Sequence, residues 1–307
     1  MVQAALHPSD KTSPTIDAGW VAAAADRVLT AIEEHRSTWQ IWHVRAEAQR
    51  QVRGANSTTD KVDQLVDLLV AEVLGTRSIP LTVTDDTIVE PVPLRRADGS
   101  SVYTVAGADL FTSTRILEAE RRLVATASRT DGRAVDAVAV DLALLESAAN
   151  GVALDAGQAV LVRSMAISGA GLQLAIGPAG TGKTTALRTL THAWLEGGGH
   201  VLGLAPFAAA VQLRDHTGAA TDTLAKLTWS LQHLDGELPD WFHRIGPSTL
   251  VLVDEAGMAD TLSLDAAVRF IVSRGGSVRL IGDDQQLAAV GAGGVLRDIE
   301  AATARFD

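Results

Sequence analysis

The pattern of apolar and polar positions changes character along the chain, and each change predicts a different element. Over 16–36 an alanine-rich apolar pattern predicts a helix. Ser37-Thr38-Trp39-Gln40 has capping-box form and predicts the start of a second helix running through Trp39, Trp42, Val44 and Ala46. After a break at 56–59, Val62, Leu65, Val66, Leu69 and Val73 recur at helical spacing, and Gly75 is expected to close that helix. Over 79–89 and 91–105 the pattern turns extended, with Asp98-Gly99 as a hairpin turn signal, and 110–127 returns to helix. Thr130-Asp131-Gly132 is the expected boundary, so that 1–131 reads as a mostly helical domain with a β-hairpin.

Beyond it, helices over 133–150 and from Leu154-Asp155-Ala156-Gly157-Gln158 to Ile167 lead into four short apolar runs at 172–176, 200–205, 248–253 and 277–281. Runs of this kind, unbroken by polar alternation and separated by helical patterns, indicate a parallel sheet buried on both faces. The expectation for 132–307 is therefore an α/β domain with helices on both sides of a parallel sheet.

The first run, Leu172 to Ile176, enters Gly177-Pro178-Ala179-Gly180-Thr181-Gly182-Lys183-Thr184-Thr185, which matches the phosphate-loop spacing GxxxxGK[ST] in full. Glycines let the backbone curl until consecutive N–H groups point inward as an anion nest, and the helix that follows adds its positive end. Lys183 is expected to reach the β- and γ-phosphates and the Thr184 hydroxyl to ligate Mg²⁺. Ligands of open α/β sheets sit at the carboxyl ends of strands, and two further strand ends carry suitable groups. The run 249–253 delivers Asp254-Glu255-Ala256-Gly257-Met258, where one carboxylate can hold Mg²⁺ and its neighbour can orient or deprotonate water; a helix-capping acid pair is the alternative. The run 278–281 delivers Gly282-Asp283-Asp284-Gln285-Gln286-Leu287, whose amides can sense a γ-phosphate or form a plain polar turn. Gln158 also admits two readings, an amide that contacts adenine or the second half of a D-x-x-Q helix cap with Asp155.

Composition narrows the setting. No apolar stretch approaches the roughly 18 residues of a membrane span, the first residues lack the pattern of a secretory signal, and there is no cysteine, so a reducing cytoplasm is expected. A net charge of −11 argues against broad electrostatic attraction to nucleic acid and leaves room for a local groove that binds a strand by hydrogen bonds and stacking. The eight histidines show no metal-ligand spacing, and the six tryptophans are expected mainly in the core.

Taken in order, Gln158, GPAGTGKTT, Leu204-Ala205-Pro206, Thr223-Leu224, DEAGM and GDDQQLAAVGAGG resemble the first motor domain of superfamily 1 DNA helicases. Within that superfamily the chain is similar to the RecD-like branch and to the helicase region of conjugative relaxases of the MobF/TraA type. The resemblance implies a RecA-like P-loop NTPase fold over 132–307 that uses ATP and Mg²⁺ and acts on single-stranded DNA. It implies that Gln158 contacts adenine and that Gly177, Gly180, Thr181, Gly182, Lys183, Thr184 and Thr185 bind phosphates. Thr184 and Asp254 would serve Mg²⁺, Glu255 would activate water, and Gln286 would couple the γ-phosphate to DNA. Ala205, Pro206 and Thr223 fall where such helicases line the single-strand path, and Phe207 stands where relatives carry a small or hydroxylated residue. The second motor domain with its arginine fingers, and the relaxase nuclease, are not found in these 307 residues, so a fragment of a larger machine is expected. On the residues alone, another P-loop ATPase or a non-catalytic nucleotide- or DNA-binding module remain the alternatives.

Overall fold

A computed structural model of the chain describes residues 16–53, 59–81, 107, 109–177, 182–282 and 293–303. Contacts divide the chain into two compact units, Met1–Glu33 with Thr38–Thr114, and Glu34–Ser37 with Arg115–Asp307.

In the first unit, helices α1 (Ala18–Glu33), α2 (Ile41–Arg53) and α3 (Thr59–Glu72) turn their apolar stripes inward. Ala24, Val28, Val44, Ala48, Val66 and Leu69 are all buried. The helix expected to open at Ser37 starts instead at Ile41. Trp39 is drawn into a bridge with Phe111, exchanging both backbone bonds at 2.9 and 2.8 Å, and its indole N–H donates to Ser78 Oγ at 3.1 Å. A backbone committed to that ladder cannot wind into a first helical turn. Gly75 does not close α3 either, because the chain continues as a π-helical turn, Val73–Arg77, with Thr76 Oγ1 donating to the Glu72 carbonyl at 2.7 Å. Two short strands, β1 (Ile79–Pro80) and β2 (Phe111–Thr112), pair antiparallel. The expected hairpin turn at Asp98-Gly99 lies outside the described residues. Helix α4 (Thr114–Ala127) follows β2 directly and from Arg115 onward belongs to the second unit.

The second unit is a three-layer α/β sandwich. Helices α5 (Ala137–Ala149) and α6 (Ala156–Ile167) precede five parallel strands in the order β3-β7-β6-β4-β5. These are β3 (Leu172–Ile176), β4 (His200–Ala205), β5 (Ala220–Thr223), β6 (Thr249–Val253) and β7 (Ser277–Gly282). Between and after them run α7 (Lys183–Glu196), α8 (Phe207–Thr217), α9 (Leu224–Gln232), α10 (Asp240–Arg244), α11 (Thr261–Ser273) and α12 (Gly293–Thr303). Strand side chains alternate between the faces. Leu172, Leu204, Val251, Val253 and Leu280 pack with α4, α9, α11 and α12 on one side. Ala175, Ala205, Leu250, Leu252 and Ile281 pack with α5, α6, α7 and α8 on the other. Every residue of β6 and β7 is buried, as expected of central parallel strands that read as unbroken apolar runs. The expected α/β architecture, with helices on both faces of a parallel sheet, is therefore present.

Arg279 is the exception within β7. It is fully buried under Trp194, with its guanidinium 5.9 Å from the indole ring centre. Nε donates to the Met165 carbonyl, and Nη1 to the carbonyls of Ala170 and Val278, all at 2.9 Å. Burial pulls its proton affinity down to about 9, so the group keeps its charge at neutral pH.

Candidate nucleotide site

Parallel pairing brings the chemistry-bearing strand ends to one edge of the sheet. Ile176 is opposite Gly282, and Val253 is opposite both Leu280 and Leu204. The pairing carries on past the strands, with the Gly177 N–H donating to the Gly282 carbonyl at 3.3 Å and the Asp254 N–H to the Leu204 carbonyl at 2.9 Å. The loop after β3, the DEAGM turn after β6 and the end of β7 thus converge, as the order of runs predicted.

Gly182 is the N-cap of α7 and sits in the left-handed region at φ 74°, which only glycine enters at no cost. Its carbonyl accepts from the N–H groups of Thr185 and Ala186 at 2.9 and 3.1 Å, starting the helix. Lys183 lies across the strand ends, its Nζ donating to the carbonyls of Gly177 at 2.5 Å and Gly282 at 3.3 Å. The ammonium is thus held by neutral oxygens over the gap between β3 and β7, where an anion could take their place. Beside it, Gly182, Lys183, Thr184 and Thr185 line a cleft of about 410 Å³ together with Arg188 and His216. Arg188 was not singled out from the sequence, although it stands one helical turn beyond Thr184 on the same face. Gly180, Thr181 and Gln286 lie outside the described residues.

At the end of β6, Asp254 is half-buried, and burial raises its carboxyl above the ordinary carboxylate range. The backbone N–H of Glu255, which donates to Asp254 Oδ1 at 3.0 Å, and the positive charge of Lys183 act in the opposite direction. Glu255 is the one non-glycine among the described residues with positive φ, at 52°. A left-handed backbone costs a residue of this type about 1–2 kcal/mol, and here it turns the chain sharply so that Asp254 and Glu255 sit side by side on one wall. The hydroxyl of Thr184 and the carboxylate of Asp254 are hard oxygen donors of the kind Mg²⁺ selects, and the left-handed glycine ahead of a helix N-terminus is a backbone suited to phosphate. The residues present fit a magnesium nucleotide. No cluster of three or more metal-ligating side chains occurs among the described residues.

A second groove, of about 940 Å³, runs from this wall past Pro206, Thr223, Leu224 and Thr228. It brings the three expected strand-path residues, Ala205, Pro206 and Thr223, together with Asp254 and Glu255. Ala205 is itself only 1% exposed and Thr223 is the N-cap of α9, its Oγ1 accepting from the Lys226 N–H at 3.0 Å. Farther along α9, Trp229 is partly exposed, stacked on His233 at 4.3 Å, with Lys226 Nζ 4.9 Å from its ring centre. Gln158 forms a reciprocal cap with Asp155 at the N-terminus of α6. Asp155 Oδ1 accepts from the Gln158 N–H at 2.8 Å, and Gln158 Oε1 accepts from the Asp155 N–H at 3.0 Å.

The model of the AAA domain family matches residues 153–306, half of the chain and all of the site just described. The chain belongs to the AAA domain family. Over 125 residues, 40% of its length, it is 33% identical to the conjugal transfer protein TraA of Rhizobium radiobacter. Over stretches of the same length it is 32% identical to a probable conjugal transfer protein TraA of Sinorhizobium fredii and 31% to the TraA of Agrobacterium fabrum. These relatives bear out the TraA-type resemblance that the motifs carry. The match spans 11% of the length of each relative. Among the described residues of this AAA domain protein, no helix is long and apolar enough to cross a membrane.

Proposed function

We propose that this chain is the ATP-hydrolysing half of a DNA-translocating motor of the superfamily 1, RecD-like type, working on single-stranded DNA during conjugal transfer. The observation that carries the proposal is the placement of Lys183, held by the carbonyls of Gly177 and Gly282 beside the half-buried Asp254. In this reading a helical accessory domain at 1–131 precedes the motor at 132–307, and a second motor domain and a relaxase domain are partners. A cytoplasmic location goes with that role.

Gly177, Gly180, Thr181, Gly182 and Thr185 cradle the phosphates, and Lys183 leaves its two carbonyls to meet the β- and γ-oxygens. Thr184 and Asp254 would hold Mg²⁺, whose charge would offset that of the phosphates. Glu255 orients the attacking water and accepts its proton as the new O–P bond forms and the bond from the γ-phosphorus to the β–γ bridging oxygen breaks. Gln286 couples the state of the γ-phosphate to DNA. The groove lined by Ala205, Pro206 and Thr223 carries the strand, and its position against Glu255 supports coupling between the two.

Phosphate release from Mg·ATP, with and without oligonucleotide, and nucleotide affinity of wild type and Lys183→Ala test this reading. Lys183→Ala is expected to abolish binding, and unchanged affinity removes the assignment. Stimulation by oligonucleotide separates this motor from other P-loop ATPases, while tight binding without turnover favours a non-catalytic module.

A further inference from the structure

The 410 Å³ cleft beside Lys183 continues along α7. Arg188 follows Thr184 there by one helical turn, while Val152, from the turn after α5, and His216, at the end of α8, line the same cleft. Among the described residues no carboxylate lines it, in a chain whose net charge is −11. Arg188 is exposed and makes no hydrogen bond or ion pair among the described residues. It also borders a cavity of about 340 Å³ between α5 and α7, where the acid, Glu146, stands 3.5 Å from His192 Nδ1. His216 is committed at one nitrogen only. Its Nδ1 lies 2.6 Å from the Gln212 carbonyl, which can only accept. In the neutral ring the proton therefore sits on Nδ1, and Nε2 is left as an acceptor.

These two side chains ask for different partners. A guanidinium is a fork of donors that matches phosphate oxygens. An imidazole nitrogen with a free lone pair needs a donor, and a sugar hydroxyl is one. In a nucleoside triphosphate the α-phosphate and the ribose carry those two groups side by side. With Lys183 on the β- and γ-oxygens, that end of the molecule is the one left to extend along α7. We propose that Arg188 binds the α-phosphate and that His216 accepts from a ribose hydroxyl, which makes the cleft prefer ribonucleotides to deoxyribonucleotides. The inference rests on the nucleotide-binding reading above and carries it from the phosphate chain to the sugar.

The test measures dissociation constants for Mg·ATP, Mg·ADP and the 2′-deoxy and 3′-deoxy forms of Mg·ATP, together with melting temperature. The proteins are the wild type, Arg188→Ala, Arg188→Lys, His216→Ala and His216→Gln. Arg188→Ala is expected to weaken ATP and ADP alike by about 10-fold, the low end for a hydrogen bond to a charged group because the side chain is exposed. Its melting temperature should stay where it is, since the guanidinium supports nothing else. Arg188→Lys keeps the charge without the fork and is expected to recover part of the loss. The wild type is expected to bind one of the two deoxy forms about 2- to 10-fold less well than ATP. His216→Ala should bring ATP down to that same level and leave that deoxy form unmoved, while His216→Gln, which keeps an acceptor, restores part of the difference. A loss in Arg188→Ala confined to ATP overturns the proposal by placing the guanidinium on the γ-phosphate. Unchanged constants in Arg188→Ala, or equal losses for ATP and both deoxy forms in His216→Ala, overturn it as well. Failure of the wild type to bind any nucleotide overturns the functional reading itself, and this inference with it.

Discussion

Replacing Gly182 by alanine adds two penalties that can be measured separately. The first is the backbone. At φ 74° a Cβ-bearing residue loses about 1–2 kcal/mol. The second is the neighbour, since the new methyl would stand 2.2 Å from Gln158 Nε2, far inside van der Waals contact. The amide can escape only by rotating away, which breaks the bond from the Asp155 N–H to Oε1 and loses about 0.5–1.5 kcal/mol. Together the cost is about 1.5–3.5 kcal/mol, or about 3–14 °C in melting temperature for a unit of this size. Urea denaturation of Gly182→Ala, Gln158→Ala and the double variant resolves the two parts. In the Gln158→Ala background only the backbone part should remain, giving a coupling energy of about 1 kcal/mol. Full additivity, with coupling below about 0.3 kcal/mol, would show that the amide does not press on the glycine and would undo the reasoning.

Asp254→Asn is expected to raise the melting temperature at neutral pH by about 2–4 °C while abolishing Mg²⁺-dependent nucleotide binding. Burial raises the carboxyl, so the folded state favours the protonated form; ionisation costs stability as pH rises through the raised value, and the difference between variants should vanish once pH falls below the ordinary carboxylate range. Scanning calorimetry across pH checks both signs, and a lower melting temperature at pH 7 contradicts them. Trp229→Ala is expected to weaken binding of a labelled single-stranded oligonucleotide by about 5- to 100-fold, read by anisotropy, because stacking on an aromatic contributes about 1–3 kcal/mol per base. Unchanged affinity removes α9 from the strand path. Gly199→Ala would put a methyl 2.4 Å from Trp194 Cδ1 and 2.8 Å from the Ser248 carbonyl, overpacking worth about 1–3 kcal/mol. Urea denaturation and Trp194 emission should report it together, since the displaced indole loses its 3.0 Å bond to Ser248.

Most of the sheet was legible because its strands are buried on both faces, and such strands write themselves as apolar runs. The runs at 172–176 and 200–205 coincide with β3 and β4, and those at 248–253 and 277–281 miss β6 and β7 by one residue at one end. β5 was not foreseen, since Ala220-Thr221-Asp222-Thr223 on the sheet edge has no apolar pattern to show. Trp39 misled for a different reason. Its local capping signal was outbid by a bridge to Phe111, a partner 72 residues away that no window contains. In the site, residue types and spacing foretold which groups meet, but not the poses they take. Nothing in DEAGM announces a left-handed Glu255, and only the fold shows that the Gln158 amide is turned onto Gly182.

Arg279 gives an acidic molecule a private source of positive potential. Its bonds among the described residues go to carbonyls, which orient the guanidinium without cancelling its charge. Arg279 stands three residues before Gly282, whose carbonyl holds Lys183, which puts it on the order of 10 Å from that end of the site at about 3.3 Å of rise per residue. With an effective dielectric near 20, a unit cation at that range attracts each negative charge by about 1–2 kcal/mol. Sealed beneath the sheet, that pull is shielded far less by dissolved ions than the charge of a surface lysine. A polyanion arriving at a molecule of net charge −11 is therefore met at one spot by a field that salt does little to erase.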